Sequence, residues 1–278
     1  MNVAQDSRGR TWFRALTGRA DSMEGDPRSV LVADAPLGSE IARILAVVPD
    51  PRGAFPRARQ GEIGLEEAWT LAARVREVVE MDRKGVRRPI VAIVDVKGPA
   101  YGRCEEIGAI YLATAAAVDA YATARLRGHP VVALIVGRAI SGAFLAHCYQ
   151  ATRILALDDK GVMVHAMNKE AAARVTHRSV SNLEELGTRF VPLSYDVRDY
   201  AKLGLLHKLL YVEYPDAPRQ EDVEQVVREL VGAVEDARQG PRDLSNRLQS
   251  PAAHELRQAS ILVRRKLEAQ WFTGVRVK

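Results

Sequence analysis

Cysteine is nearly missing. Cys104 and Cys148 are the two in 278 residues, and they sit in separate segments without metal-type spacing. A disulfide framework is therefore not expected, and a reducing, cytoplasmic setting is. Aromatic residues make up only 6% of the chain, which argues against a stacking platform for nucleic acid. Long apolar runs are also lacking. The best, Pro130 to Ala146, is cut by Arg138 and two glycines, so no membrane span is expected. The opening MNVAQDSRGRTWFRALTG has no apolar stretch before a small-residue cleavage site, so no signal peptide is expected. His129, His147, His177 and His207 show no ligand spacing with Cys, Asp or Glu, so no metal is expected.

What remains is an ordinary soluble composition, 47% hydrophobic and 27% charged, with a net charge of +5. That excess suits an acidic partner or a phosphorylated ligand without choosing between them. Arg8 to Gly18 reads as a short basic helix. Ser29 to Ala33 and Ala42 to Val48 read as strands joined by a Pro36-Leu37-Gly38 turn. Pro49 to Gly64, rich in Pro, Gly and Arg, reads as a surface loop, and Leu65 to Val79 has helical periodicity.

Two units of one type follow. PIVAIVDV (Pro89 to Val96) is a continuous apolar strand, then a loop, then an Ala-rich helix from about Glu106 to Arg127. After Gly128-His129-Pro130 the pattern repeats, with VVALIVG, a small-residue turn and a helix from Gly142. Such strands are buried on both faces of a parallel sheet. RILAL (Arg153 to Leu157), MVHAM (Met163 to Met167) and helices near Lys169 to Arg178 and Asn182 to Arg189 come next. Arg198 to Leu210 then reads as a helix, a Gly break and an apolar exit, and Glu221 to Ala237 as an amphipathic helix whose apolar stripe awaits a partner. The alternation makes this an α/β protein, a single domain with a helical C-terminal extension. The boundaries expected are a basic segment 1–28, a core 29–215 and an extension 216–278.

Two turns attract chemistry. Gly137 to Ala143 joins a strand to a helix through small residues, where free N–H groups and a positive helix end can hold a carbonyl that becomes an oxyanion. Close helix packing explains the same residues equally well, and glycine at Gly142 also permits special backbone conformations. The turn is neither a phosphate loop nor G-x-G-x-x-G, and Ser141 lies outside a G-x-S-x-G elbow because position 139 is Ala. Lys97 to Gly102 (KGPAYG) follows the other strand. Neighbouring turns at the carboxyl ends of a sheet face one crevice, to which Tyr101 brings either a donor hydroxyl or simply a core cap. His165 reads as a satisfied core histidine rather than a base, Glu105-Glu106 as a favourable charge–dipole arrangement, and the basic tail from Arg257 as a solvated face or a docking element.

Read in order, these segments resemble the carboxyltransferase branch of the crotonase superfamily. Its D-T-P-G-A-Y-P-G loop is matched by Asp95 and Gly98, and its G-E-G-G-S-G-G-A-L-A turn by Gly137, Ser141, Gly142, Leu145 and Ala146; Glu170 falls on the S-P-E-G signature. This likeness runs from about Gly61 to Leu210. The departures, Ala139, Ile140 and Ala143 for glycines, a shortened Pro99-Ala100-Tyr101 loop, and Arg138, are similar to the gamma subunits of biotin-independent malonate decarboxylases over nearly the full chain. That resemblance implies a ββα spiral fold and an obligate beta-subunit partner. It implies decarboxylation of a malonyl group on an acyl carrier protein bearing a dephospho-CoA-type prosthetic group, and a separate transferase subunit that exchanges the acetyl product against malonate. It implies no biotin, and no cofactor bound covalently to this chain. By analogy, the amides of Gly142 and Ala143, with Ser141, serve the carboxyl end, while Gly98, Ala100, Tyr101 and Gly137 bind substrate. Pro99 lacks an N–H, which puts one of the family's two usual donors in question. Two rivals stay open: a carboxyltransferase subunit that uses biotin, and a scaffold that completes the partner's site.

Overall fold

A computed structural model describes residues 7–147 and 149–273; Cys148 and the last two basic residues of the tail, Arg276 and Lys278, lie outside the described residues. The chain runs α1 (Arg8–Thr17), β1 (Val30–Leu37), β2 (Glu40–Val47), α2 (Leu65–Met81), β3 (Ile90–Val96), α3 (Arg103–Ile107), α4 (Ile110–Leu126), β4 (Val131–Ile140) and α5 (Ser141–Ala146). It continues β5 (Arg153–Leu157), β6 (Met163–His165), α6 (Lys169–Thr176), α7 (Val180–Arg189), α8 (Val197–Lys202), β7 (Lys208–Leu210) and α9 (Gln220–Gln239). Three helices close it, α10 (Ser245–Leu248), α11 (Pro251–Leu256) and α12 (Gln258–Thr273).

One sheet organises everything, in the order β1-β2-β3-β4-β5-β7 with β6 paired to β4. Among the described strands β1 and β2 pair antiparallel and the other strand pairs are parallel. The apolar runs of β3 and β4 take the central places, because residues buried on both faces need helices above and below. Helices α2 and α4 pack together as one cover, and α1 contacts α9 as well as β1, β2 and β3. The basic helix expected at Arg8 is there, yet it carries core residues: Trp12 and Phe13 are fully buried, and Trp12 Nε1 donates to the Pro215 carbonyl at 2.9 Å.

Three sequence expectations change. Pro36 and Leu37 do not turn but continue β1, with Pro36 opposite Ile41. The hairpin closes at Gly38, whose φ of 62° is the left-handed conformation such a turn needs; β1 is an edge strand, where proline costs no ladder bond. The helix expected over Glu106 to Arg127 is two helices, broken where Ala109 turns left-handed at φ 59°. The stripe of α9 awaits no partner: Val226, Leu230, Ala233 and Val234 are buried in this chain's own core, because the helix returns over β4, β5 and β1.

One corner of the sheet sets up the site. Val94 pairs with Ile135 and Val96 with Ala139, so β4 bulges opposite Asp95. Below the bulge β4 pairs with β5, and above it, at Arg138 to Ile140, with β6. The Asp95 carboxylate fills the bend, accepting from Arg138 N at 3.1 Å and from Gly9 N at 3.2 Å.

His147 ends α5 deep in the core. Its Nε2 donates to the Ile93 carbonyl at 2.9 Å, which leaves Nδ1 to accept from the Tyr121 hydroxyl at 3.2 Å. Complete burial pushes the ring down to about 4, so the folded chain holds it neutral. As pH falls, the unfolded chain takes up this proton first. The stability involved is present above about pH 6.5 and is lost as pH drops towards 4, about 3 kcal/mol in all. Urea unfolding of the wild type and His147→Leu is therefore expected to show a stability gap at pH 7 that narrows by pH 4.5. A gap independent of pH would contradict this account.

Candidate active site

The carboxyl ends of β3, β4 and β6 open on a cleft of about 870 Å³. Its first wall is the Lys97–Tyr101 loop, and the local bonds explain its path. Ile63 N donates to the Gly98 carbonyl at 3.0 Å, Ala100 N to the Ile63 carbonyl at 2.9 Å, and Lys97 N to the Gly61 carbonyl at 3.2 Å. The loop is thus stitched to the segment before α2. Gly98 sits at φ 145°, a region closed to side chains. Its N–H has no hydrogen-bond partner among the described residues. Ala100, expected to bind substrate, lines the cleft, but its N–H is engaged by Ile63; with Pro99 lacking one, Gly98 is the loop's open donor.

The second wall is the start of α5. The left-handed residue of this turn is Ser141, at φ 58°, and not Gly142. This corrects the expectation that Gly142 serves a special conformation. Gly142 and Ala143 occupy the first turn, where helix N–H groups lack intrahelical partners, and neither donates to another part of the chain. A side chain on Gly142 would meet the Tyr101 hydroxyl at 3.6 Å and Pro99 Cγ at 3.7 Å. The two turns singled out in the sequence therefore meet, with Tyr101 half-exposed over Gly142. Ser141 and Tyr101 line the cleft, while Gly142 lies behind Ser141 without lining it and Ala143 is buried. Gly137 stands apart. It does not line the cleft, and a Cβ there would overlap Asp95 Oδ1; its smallness answers to the Asp95 carboxylate. No histidine or carboxylate is hydrogen-bonded to Ser141 Oγ among the described residues, so nothing prepares it as a nucleophile.

The third wall was only partly legible. Glu170, which falls on the S-P-E-G signature, lines the cleft beside Lys169 and Tyr195. Tyr195 stacks on His165 with ring centroids 3.9 Å apart and donates its hydroxyl to the Met167 carbonyl at 2.8 Å. Burial, then the Glu170 charge, pushes the Tyr195 phenol up. Burial pushes His165 down, so a neutral ring is favoured in the stack. His165 is partly buried rather than a core residue, and its Nδ1 bonds locally to Met167. Arg57, from the loop taken as mere surface, also reaches the cleft. Four cations line it, Arg57, Lys97, Arg138 and Lys169, against two carboxylates, Glu62 and Glu170. Free backbone donors inside a positive rim suit an anionic substrate whose charge shifts during reaction.

The comparisons with known proteins agree on one relationship. The family model described as malonate decarboxylase gamma subunit matches residues 58–271. The malonyl-S-ACP:biotin-protein carboxyltransferase of Malonomonas rubra is 39% identical over 193 residues, covering 67% of this chain and 65% of that relative, so the chain spans under two thirds of the relative's length. A chain of a Pseudomonas malonate decarboxylase heterotetramer solved with coenzyme A is 54% identical, covers 95% of this chain and 100% of its own, and superposes with a TM-score of 0.90. A chain of a Pseudomonas malonate decarboxylase heterodimer is 53% identical over the same shares, with a TM-score of 0.87. Transcarboxylase 12S, at 20% identity, 77% coverage of this chain, 36% of its own and a TM-score of 0.58, shows the fold alone.

The contrast between the two glycines is testable by unfolding. Gly142→Ala places its Cβ at ordinary contact distance, so its stability is expected to match the wild type. Gly137→Ala drives a methyl into the Asp95 carboxylate and is expected to lose about 1–3 kcal/mol. Equal denaturant midpoints for the two variants would refute the assignment.

Proposed function

The chain belongs to the malonate decarboxylase gamma subunit family, and from that membership we propose that it forms half of a malonyl thioester decarboxylase. Its α/β fold is that of crotonase-type carboxyltransferases. The expected partner is a beta subunit, as in the Pseudomonas heterodimer. The expected substrate is a malonyl group carried on an acyl carrier protein by a dephospho-CoA-type arm, with a transferase subunit regenerating the malonyl thioester. No helix among the described residues is long and apolar enough to cross a membrane, and the proposed setting is the cytoplasm.

One observation carries the reading: two turns with open backbone donors, Gly98 in one and Gly142 with Ala143 in the other, meet at the wall of a single cationic cleft that Gly98 and Ser141 line. Loss of CO2 breaks the bond between the carboxylate carbon and the α carbon. The electron pair passes to the thioester oxygen as an enolate, and the α carbon then takes a proton to give the acetyl thioester. The Gly142 and Ala143 amides, with Ser141 beside them, hold the carboxyl end of the malonyl group. Gly98 N–H adds a donor from the facing loop. Arg57, Lys97, Arg138 and Lys169 attract the anion and fix its approach; Tyr101 covers the junction of the two turns. The carboxylate gives up its charge as CO2 leaves, so the amides at that end orient the carboxyl group for departure, and the donors that lower the barrier are those aimed at the thioester oxygen, where charge grows.

A second reading follows from the Malonomonas relative, whose name describes carboxyl transfer to a biotin protein. The two differ in the fate of the carboxyl group. The complex purified with its beta subunit is expected to release CO2 from malonyl-carrier protein at an undiminished rate in excess avidin. Strong inhibition by avidin, or carboxyl transfer to a biotin carrier without CO2 release, would select the second reading.

A further inference from the structure

The opposite edge of the sheet holds a second cationic pocket. It lies where β3, β4 and β5 begin, about 30 Å from the cleft along the ten residues of β4. Its volume is about 290 Å³, and its charged walls are Arg87, Arg125, His129, Arg238 and Arg242, with no acidic side chain among the lining residues. Such a convergence of guanidinium groups is costly without a counter-anion. Arg238 has one, Glu40, and the charge of Asp243 acts on Arg125 from beyond ion-pair distance. Arg87, Arg125 and Arg242 hold no ion pair among the described residues. Arg125, 7% exposed, gives its terminal nitrogens to the Arg242 carbonyl and to Gln150. Arg87 makes one bond, to the Arg83 carbonyl at 2.9 Å. The Arg242 guanidinium lies flat against Gly128, where a Cβ would come within 3.0 Å of its central carbon and the backbone φ is 94°.

Three of these walls also carry buried polar atoms with no hydrogen-bond partner: Arg87 Nη1, Arg125 Nε and His129 Nε2. A buried polar group left without a partner is destabilising, and three lining one pocket point to a ligand that would supply the partners. The histidine adds a chemical restriction. Its Nδ1 lies 3.0 Å from the Arg88 carbonyl and must donate to it, so Nε2 of the neutral ring is an acceptor. Burial pushes His129 below its ordinary value, which favours that neutral form. The pocket thus offers several cationic donors and one acceptor.

We infer that this pocket binds inorganic phosphate as hydrogen phosphate, whose ionised oxygens meet Arg87, Arg125 and Arg242 while its remaining O–H donates to His129 Nε2. Guanidinium groups match phosphate geometry well. Sulfate and a fully ionised phosphate monoester have no proton for the acceptor, so free phosphate is the preferred ligand. The site is separate from the cleft and uses none of its residues.

Calorimetric titration of the full-length chain at pH 8 and constant ionic strength tests this with orthophosphate, sulfate and adenosine monophosphate in turn. Orthophosphate is expected to bind at least tenfold more tightly than either of the others. The double variant Arg87→Gln/Arg242→Gln is expected to lose at least tenfold in phosphate affinity while its thermal midpoint without ligand stays at the wild-type value. Arg87 bonds the Arg83 carbonyl, and neither side chain holds an ion pair among the described residues. Equal affinity for the three anions, no measurable phosphate binding, or unchanged binding by the folded variant would each overturn the inference.

Discussion

The Asp95 carboxylate in the bend of β4 is the constraint on which the rest depends. An anion placed between two strands needs hydrogen bonds, and backbone N–H groups supply charge-assisted ones without any cation nearby. Here Arg138 N and Gly9 N supply them. Gly137 has no Cβ because the carboxylate occupies that space. With the bulge in place, β4 leaves β5, takes β6 as its new neighbour and delivers Ile140 and Ser141 beside the Lys97–Tyr101 loop. The same contact fastens α1 to the central strands, so the amino-terminal helix is part of the scaffold that positions the turns.

From the sequence, the parts governed by local patterning were legible. Continuous apolar runs marked β3 and β4 because burial on both faces leaves no room for alternation, and the small residues after each marked the two turns that meet. What escaped depends on distant chain segments. Pro36 looked like a turn because its edge position, which makes proline harmless, exists only once the sheet is assembled. The stripe of α9 looked unpartnered because its cover lies many residues earlier, in β1, β4 and β5. Arg57 and Tyr195 reach the cleft from loops far from either turn, and no local pattern announces such a meeting. Gly137 shows the opposite problem: its matching of a family motif was visible, but the Asp95 carboxylate it accommodates was not.

The chemistry follows from how the sheet orders charge. Parallel strands place their exits on one edge, so the backbone donors after β3 and β4 collect there by topology, and basic side chains from other loops complete a rim that attracts an anion. Neither turn needs an acid, a base or a nucleophile for this. The carbon–carbon bond of a malonyl thioester breaks when the carboxyl group is oriented for departure and donors await the charge on the thioester oxygen, so pre-set amides suffice for the orienting role proposed for this chain. Ser141 takes the left-handed position of the turn and leaves Gly142 in ordinary backbone, so that the glycine's lack of a side chain can serve close approach alone.

The most direct test of that claim is the turnover of the complex carrying Gly142→Val. The added side chain points towards Tyr101 and Pro99 and bars the approach to the amides without disturbing the Asp95 bend. The account predicts that kcat falls by about a hundredfold, the size expected when a reacting group is misplaced by about 1 Å, in a complex that still assembles and melts as the wild type does. Wild-type turnover by that folded complex would contradict it.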